Sequence, residues 1–461
     1  MEKDEIKQVV DNARNYFLSG KTLPIEVRLE NLNRLENLII SFLPKIYEAF
    51  KEDLNKHPFD VLSTEIYLVL DEIKYFKKHL RKLSKPKRVS TSIINFPSRG
   101  YLYQEPYGVI LIMAPWNYPF QLAIEPLVGA LAAGNTIILK PASYTPNVSK
   151  VIKDMLANFD EGLIYVVTGG RNENQALLDQ KFDYIFFTGG TTVGRLVLEK
   201  ASVNLTPVTL ELGGKSPCLV LKDCDLEIAA KRIVWGKFLN AGQTCVAPDY
   251  ILVDETIHAE FIDKIKGYIN KFYYVNNKLV DDFPKLVNTK HQEKILSLLD
   301  ENKVIVGGTI VRPLTLCPTV MDDVKFNDPI MQEEIFGPIL PIIKYNNVSE
   351  VISEIKVRPK PLSCYIFSKN IKLAKRYMNE LSFGGGCIND TIMHLTNHNL
   401  PFGGVGFSGM GQYHGLASFK TFSHTKSVLV KKKRELNTKY PPHTPRKMSL
   451  LKKILGIRNH K

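Results

Sequence analysis

Apolar residues recur at helical spacing from about Ile25 to Leu83: Leu32, Leu35, Leu38, Ile39 and Leu43, then Ile66, Leu68, Ile73 and Phe76. The spacing predicts an N-terminal helical stretch whose task is packing. After a break containing Pro and Ser near 84–100, short apolar runs alternate with helical segments. Val109–Met113 reads as a strand, Phe120–Ala133 as a helix, and Thr136–Leu139, Leu163–Val167 and Tyr184–Phe187 as further strands. That alternation predicts a parallel α/β sheet. A second α/β region is expected from about Val208 to the 410s, with strands at Val304–Ile310 and Leu340–Lys344, and the sequence contains no internal repeat.

The 461 residues suffice for two or three domains, and a hydrophobic fraction of 44% is ordinary for a globular enzyme. Met1-Glu2-Lys3-Asp4-Glu5 carries both charge signs and no apolar signal core, and no uninterrupted apolar run approaches the roughly 20 residues of a membrane span. A cytoplasmic protein with reduced thiols is expected. Its six cysteines, at 218, 224, 245, 317, 364 and 387, form no CxxC pairs, so neither a disulfide framework nor a metal site is predicted.

The formal net charge of +14 suggests nucleic acid until it is placed along the chain. Residues 431–461 hold eleven Lys and Arg against the single acid Glu435, so +10 sits in this tail and +4 on the other 430 residues. The body has no charge excess for a nucleic-acid groove, and whatever the charge binds is bound by the tail.

Cys245 stands apart from the other thiols. In Gly242-Gln243-Thr244-Cys245 its glycine and polar neighbours imply an approachable loop, which a nucleophile requires. The remaining thiols read as small buried hydrophobes or inert surface groups, with Cys387 in Phe383-Gly384-Gly385-Gly386-Cys387 as the runner-up. Glu211, shortly before Gly213-Gly214, has a setting in which a partly desolvated carboxylate can swing and take a proton from water. Together the thiol and the carboxylate are the minimum for forming and hydrolysing a thioester.

Ala114-Pro115-Trp116-Asn117-Tyr118-Pro119 follows a strand end, where open α/β sheets place ligands. Asn117 can give an N–H to a developing oxyanion, a donor whose loss typically costs about 2.7–4 kcal/mol of transition-state stabilisation; in isolation it would read as a turn residue before Pro119. Lys140 ends the next strand and points to the same edge. Tyr184–Phe187 runs into Thr188-Gly189-Gly190-Thr191-Thr192-Val193-Gly194, a glycine turn at a helix start whose amides favour phosphate but which is weak alone. Gly404-Val405-Gly406-Phe407-Ser408-Gly409 matches a dinucleotide pattern in its letters and is rejected. It follows Leu400-Pro401-Phe402 instead of a strand, and no acid lies between Asp390 and Glu435 to take a ribose hydroxyl; it reads as a loop whose backbone packs closely.

Taken together, Pro115-Trp116-Asn117-Tyr118-Pro119, Phe187-Thr188-Gly189-Gly190, Glu211-Leu212-Gly213-Gly214-Lys215-Ser216-Pro217, Gly242-Gln243-Thr244-Cys245 and Glu333-Glu334-Ile335-Phe336-Gly337-Pro338 resemble, in order, the motifs of the aldehyde dehydrogenase superfamily. The resemblance covers about residues 1–445. A short run before Trp116, together with Asn389-Asp390-Thr391-Ile392-Met393-His394 and Gly411-Gln412-Tyr413-His414-Gly415, is similar to the class 3 branch, which acts on fatty and aromatic aldehydes.

The resemblance implies an α/β aldehyde dehydrogenase-like fold. Residues 1–84 and 101–207 would form a Rossmann-like dinucleotide-binding domain and 208–418 a catalytic domain. Residues 85–100 and 419–440 would bridge the subunits of a homodimer, leaving 441–461 as a basic tail. It further implies that Cys245 attacks an aldehyde, that Asn117 and the Cys245 backbone N–H hold the oxyanion, and that Glu211 activates water. NAD or NADP would be held by Trp116, Lys140, Ser143, Gly189, Gly190, Gly194, Glu334 and Phe336. Two departures stand out: Ser143 replaces a glutamate common in the family, which lessens repulsion of a 2′-phosphate and favours NADP, and Gly190 replaces a common serine.

Two other enzymes stand beside this reading: a cofactor-independent thioesterase, which would use the same thiol and carboxylate, and a CoA-acylating aldehyde dehydrogenase, against which the retained Glu211 argues. In the tail, Met448–Ile457 as a helix places Leu451, Ile454 and Leu455 opposite Lys452 and Lys453, which suits peripheral contact with anionic lipid or a solvated, subunit-packing segment.

Overall fold

The computed structural model of the chain describes residues 1–433 and 439–457. Residues 434–438 of the expected bridging element and 458–461 of the tail, with Arg434, Arg458 and Lys461, fall outside the described residues.

Two sheets organise the molecule. The first runs in the order Gly409–Met410, Val208–Glu211, Tyr184–Thr188, Val109–Met113, Thr136–Lys140 and Ile164–Val166, parallel throughout except for the two-residue edge strand. Its strands read as unbroken apolar runs because helices cover both faces, as parallel sheets require. All five residues of Val109–Met113 are buried, and Gln121–Ala133 is buried all round between the sheet and the N-terminal helices. The expected division at 207/208 falls inside this sheet, because Val208–Glu211 pairs with Tyr184–Thr188. The chain leaves the first sheet only after Glu211.

The second sheet has seven strands, in the order Val304–Val306, Thr319–Met321, Ile339–Tyr345, Tyr250–Asp254, Pro217–Val220, Ser363–Phe367 and Gly385–Ile388. The single strand expected over Val304–Ile310 is two short ones. Gly307 and Gly308 both take positive φ, +76° and +82°, which breaks the extended run, and Ile310–Arg312 pairs elsewhere with Thr315–Leu316. A third, three-stranded antiparallel ribbon joins Lys87–Val89, Ser98–Pro106 and Ser423–Lys431. Leu429 and Val430 on this ribbon are about half exposed. Among the described residues, no helix is long and apolar enough to cross a membrane.

The N-terminal helices pack as the spacing predicts, with Leu32, Leu35, Ile39, Ile73 and Phe76 fully buried. They are not one continuous stretch. Asn55 ends Ile25–Leu54 at φ +52°, a short helix Pro58–Val61 follows, and a π-turn at Leu62–Ile66 leads into Tyr67–Leu83. The π-turn carries Glu65, fully buried against an equally buried Lys56 at 2.9 Å. Glu65 Oε2 also accepts the backbone N–H of Phe120 at 3.2 Å and of Gln121 at 2.9 Å. Burial pushes the Glu65 carboxyl up, and Lys56 and the two amides pull it back. A buried charge is tolerable when it is paired and hydrogen-bonded in this way. The pair pins the start of helix Gln121–Ala133, and with it the loop carrying Asn117, to the N-terminal helices.

Glu65→Ala leaves a buried ammonium and two amides unpartnered, so a loss of about 3–5 kcal/mol of stability is expected. Denaturant unfolding measures it; a midpoint equal to that of the unsubstituted protein would contradict this view of the pair.

Candidate active site

Asn117 sits in the loop after strand Val109–Met113, 3% exposed. Its Nδ2 donates to the Gln243 carbonyl at 3.0 Å, while Asn240 Nδ2 donates to the Asn117 carbonyl at 2.9 Å. An amide nitrogen carries two hydrogens, so one N–H of Asn117 is fixed and the other is available to a ligand. On the facing loop, Asn240, Ala241 and Gly242 follow one another at φ of +53°, +54° and +71°. A side chain on Gly242 would meet the Gly337 carbonyl at 2.3 Å, which explains the glycine. Leu239, at φ −53° and ψ 132°, ends helix Leu226–Phe238, and the left-handed run after it folds the chain into a tight loop bearing Cys245. Gln243 locks that loop: its Nε2 donates to the Asn240 and Lys285 carbonyls, both at 3.1 Å, and its Oε1 accepts from Val287 N–H at 3.1 Å.

Burial pushes the Cys245 thiol up to about 12, reinforced by the charges of Glu334 and Glu211. Glu211, at the end of strand Val208–Glu211, is 2% exposed, and neither of its carboxylate oxygens has a hydrogen-bond partner among the described residues. Burial alone raises it well above the usual carboxylate range. An unbonded carboxyl beside two glycines is free to reorient and is a strong base once ionised.

Glu334 lies against the backbone of the same glycine loop: a Cβ on Gly213 would fall 2.0 Å from its Oε2. Burial, then Asp249, raise Glu334 to about 8, offset by the Gly214 N–H. Asp249 in turn accepts from Ile335 N–H at 3.2 Å and pairs with Lys215 Nζ at 2.7 Å. One aspartate four residues beyond the thiol therefore ties together the loops of Cys245, Glu211 and Glu334.

Two cavities reach Cys245. The larger, about 640 Å³, is walled by Trp116, Gly189, Gly190, Glu211, Glu334 and Phe336 among others. Trp116 meets Phe336 edge-on, with ring centroids 5.4 Å apart. Helix Thr191–Ser202 begins at this cavity, and its first-turn N–H groups have no intrahelical acceptors. A cradle of glycines, unpaired amides at a helix start, flat aromatic walls and a buried carboxylate fits a dinucleotide: amides for its phosphates, the carboxylate for ribose hydroxyls. The smaller cavity, about 320 Å³, is walled chiefly by apolar side chains such as Leu239, Val246 and Phe402 and opens between Phe59 and Tyr67. Among the described residues no cluster of His, Cys, Asp or Glu could hold a metal.

Of the residues singled out in the sequence, Cys245, Glu211, Asn117, Trp116, Gly189, Gly190, Glu334 and Phe336 line the larger cavity together. Three do not. Lys140 ends its strand beside Met113, as expected, but is 4% exposed, donates to the Pro141 carbonyl at 2.9 Å, and is lowered by burial to about 8. Ser143 lies on the exposed turn beyond it. Gly194 is a packing position, since a Cβ there would strike Leu212 at 2.6 Å. The rejected Gly404–Gly409 run is indeed closely packed; a Cβ on Gly404 would lie 2.0 Å from the Ser408 carbonyl. Gln243, Asn240 and Asp249 were missed. Gln243 was inside a quoted motif, and only its backbone neighbours reveal what it does.

A family model for the aldehyde dehydrogenase family matches residues 1–428. The chain is 47% identical over 443 residues to a 4,4′-diaponeurosporen-aldehyde dehydrogenase of Staphylococcus aureus, covering 95% of this chain and 96% of that protein. It is 44% identical over 448 residues to a mouse aldehyde dehydrogenase named dimeric and NADP-preferring, covering 96% and 99% of the two chains. A solved structure of Staphylococcus aureus AldH in a substrate-bound state superposes with a TM-score of 0.95 at 46% identity, covering 98% and 99%.

Proposed function

The chain belongs to the aldehyde dehydrogenase family, and on that premise we propose that Cys245 carries the acyl group while Glu211 releases it. The enzyme oxidises an aldehyde to the carboxylic acid with NAD or NADP. The observation that carries the residue assignment is the meeting of both cavities at one thiol, with an unbonded carboxylate lining the polar one. Neither a cofactor-independent thioesterase nor a CoA-acylating enzyme is favoured: the first needs no dinucleotide cavity, and the second has no use for a water-activating Glu211.

The partly exposed thiol, raised to about 12, is protonated at neutral pH, so attack begins with transfer of its proton to solvent water. Sulfur then bonds to the aldehyde carbon, and the carbonyl oxygen becomes an oxyanion that accepts from Asn117 Nδ2 and the Cys245 N–H. When bound, the nicotinamide supplies the acceptor for the hydride that leaves this carbon. A thioester remains on Cys245. Glu211 takes a proton from water, whose oxygen adds to the thioester carbon; the carbon–sulfur bond breaks, the departing sulfur takes that proton back from Glu211, and the acid and the free thiol result. The covalent step divides one hard oxidation into two easier ones.

The apolar channel suits medium- or long-chain aliphatic, aromatic or isoprenoid aldehydes. Glu334 would hold the nicotinamide ribose beside Phe336, and Lys140 the adenosine ribose near Ser143. Residues 85–100 and 419–440 would bridge a homodimer, an assignment supported by the ribbon and its exposed Leu429 and Val430. The first sheet, with its strand Val208–Glu211, would serve the cofactor, and the second sheet the substrate. Helix Pro445–Ile454 has no buried residue; Leu451 and Ile454 are exposed beside Lys453. It would hold a cytoplasmic enzyme against the inner membrane face.

Cys245→Ala is expected to lower turnover by at least about a thousandfold while leaving cofactor binding largely intact. Glu211→Gln should keep a first burst of NAD(P)H but slow steady turnover roughly a hundredfold. Because Glu211 is raised, its base form fills only above the usual carboxylate range, so kcat of the unsubstituted enzyme should climb as pH rises beyond that range and the Gln variant should lose the climb. Ser143→Glu should reduce kcat/KM with NADP about tenfold, the equivalent of about 1.4 kcal/mol, with little change for NAD; an enzyme that scarcely uses NADP to begin with would contradict the role of Ser143. Removal of residues 446–461 should abolish co-sedimentation with anionic vesicles, and unchanged sedimentation would remove the membrane assignment.

A further inference from the structure

Ile392 adopts φ +62° and ψ −39°. A β-branched residue is seldom found at positive φ, because its Cβ crowds the backbone. The Met393 N–H donates to the Thr391 carbonyl at 2.5 Å, so Thr391–Ile392–Met393 forms a tight three-residue γ-turn. The flanks hold it there. Thr391 Oγ1 donates to the Arg232 carbonyl at 2.9 Å, the Thr391 N–H donates to Asp390 Oδ1 at 2.9 Å, and the Arg232 guanidinium donates to the Asn389 carbonyl. Asn389, itself at φ +60°, is fixed by reciprocal bonds of 2.8 Å to the Ser368 backbone.

Glycine would relieve this turn, and the chain uses glycine freely elsewhere. Burial of an apolar side chain does not by itself call for positive φ. The turn governs where the side chain sits. Ile392 is 7% exposed and lines the apolar channel with Leu239, Val246 and Cys245; the Tyr365 hydroxyl, which donates to the Val246 carbonyl at 2.6 Å, also bonds the Ile392 backbone, so the turn lies next to the residue that follows the thiol. Its Cδ1 lies against Gly236, on the helix that leads into the nucleophile loop. The next residue, Met393, is 42% exposed at the channel mouth. The strained turn thus sets a buried and an exposed side chain side by side on the channel wall.

We propose that Ile392 is a specificity-determining residue: held in the wall by its strained turn, it admits unbranched or flat aldehydes and rejects those branched close to the carbonyl. This rests on the reading of the apolar cavity as the aldehyde channel. Strain retained at a substrate wall is a recurrent use of such backbone, and steric selection by one or two methylenes is worth about tenfold or more in kcat/KM.

The test compares hexanal with 2-ethylhexanal, using the unsubstituted enzyme, Ile392→Ala and Ile392→Gly. In both variants the ratio of kcat/KM for the branched over the straight aldehyde should rise roughly tenfold or more. Ile392→Gly should also melt no lower than Ile392→Ala, the reverse of the order at an unstrained position. A ratio within about twofold of the starting value, where a methylene-scale effect of at least tenfold is expected, overturns the proposal, as does an Ala variant that melts above the Gly variant. No NAD(P)H from hexanal with the unsubstituted enzyme would sink the dehydrogenase reading and this proposal with it. That outcome is told apart from the others because it needs no variant.

Discussion

The bond from the Asn117 side chain to the Gln243 carbonyl is what the rest of the site depends on. It crosses from the end of a first-sheet strand to the loop that bears the thiol, so it sets the position of the proposed oxyanion donor relative to the proposed nucleophile. Each partner is over-determined. Asn240 holds the backbone of Asn117, Gln243 is locked through its own amide, and the buried Lys56–Glu65 pair fixes the helix that follows Asn117. Preorganisation of this kind lets a donor act without reorganising as charge develops.

The same burial that fixes geometry raises the ionisations of Cys245, Glu211 and Glu334. Three groups whose neutral forms burial favours line one cavity. A thiol raised in this way is mostly protonated at rest, while a raised carboxylate is a stronger base than an exposed one. Asp249 is the exception in placement: paired with Lys215 and capping Ile335, it organises the loops from outside the reacting centre.

The first sheet was legible because buried parallel strands are written as plain apolar runs, as at Val109–Met113 and Tyr184–Thr188. The thiol and carboxylate were legible because each lies within three residues of a glycine, Gly242 before Cys245 and Gly213 after Glu211. What escaped was fixed by pairings distant in sequence. Nothing near Lys56 or Glu65 signals that they meet in the core, and nothing near Ile392 signals positive φ, since its flanking bonds reach back to Arg232 and Ser368. Gly194 shows the converse: a glycine in a phosphate-like turn that exists to let Leu212 approach. The break at Gly307 and Gly308 was visible in letters, but its apolar neighbours outweighed it.

The central claim, that Cys245 holds an acyl group until Glu211 supplies water, is tested most directly by intact-protein mass spectrometry of Glu211→Gln after mixing with hexanal and NAD. The account predicts a mass increase equal to one hexanoyl group, localised by peptide mapping to Cys245 and lost on treatment with hydroxylamine. Rapid NADH formation without any adduct on Cys245, or an adduct on another residue, would contradict it.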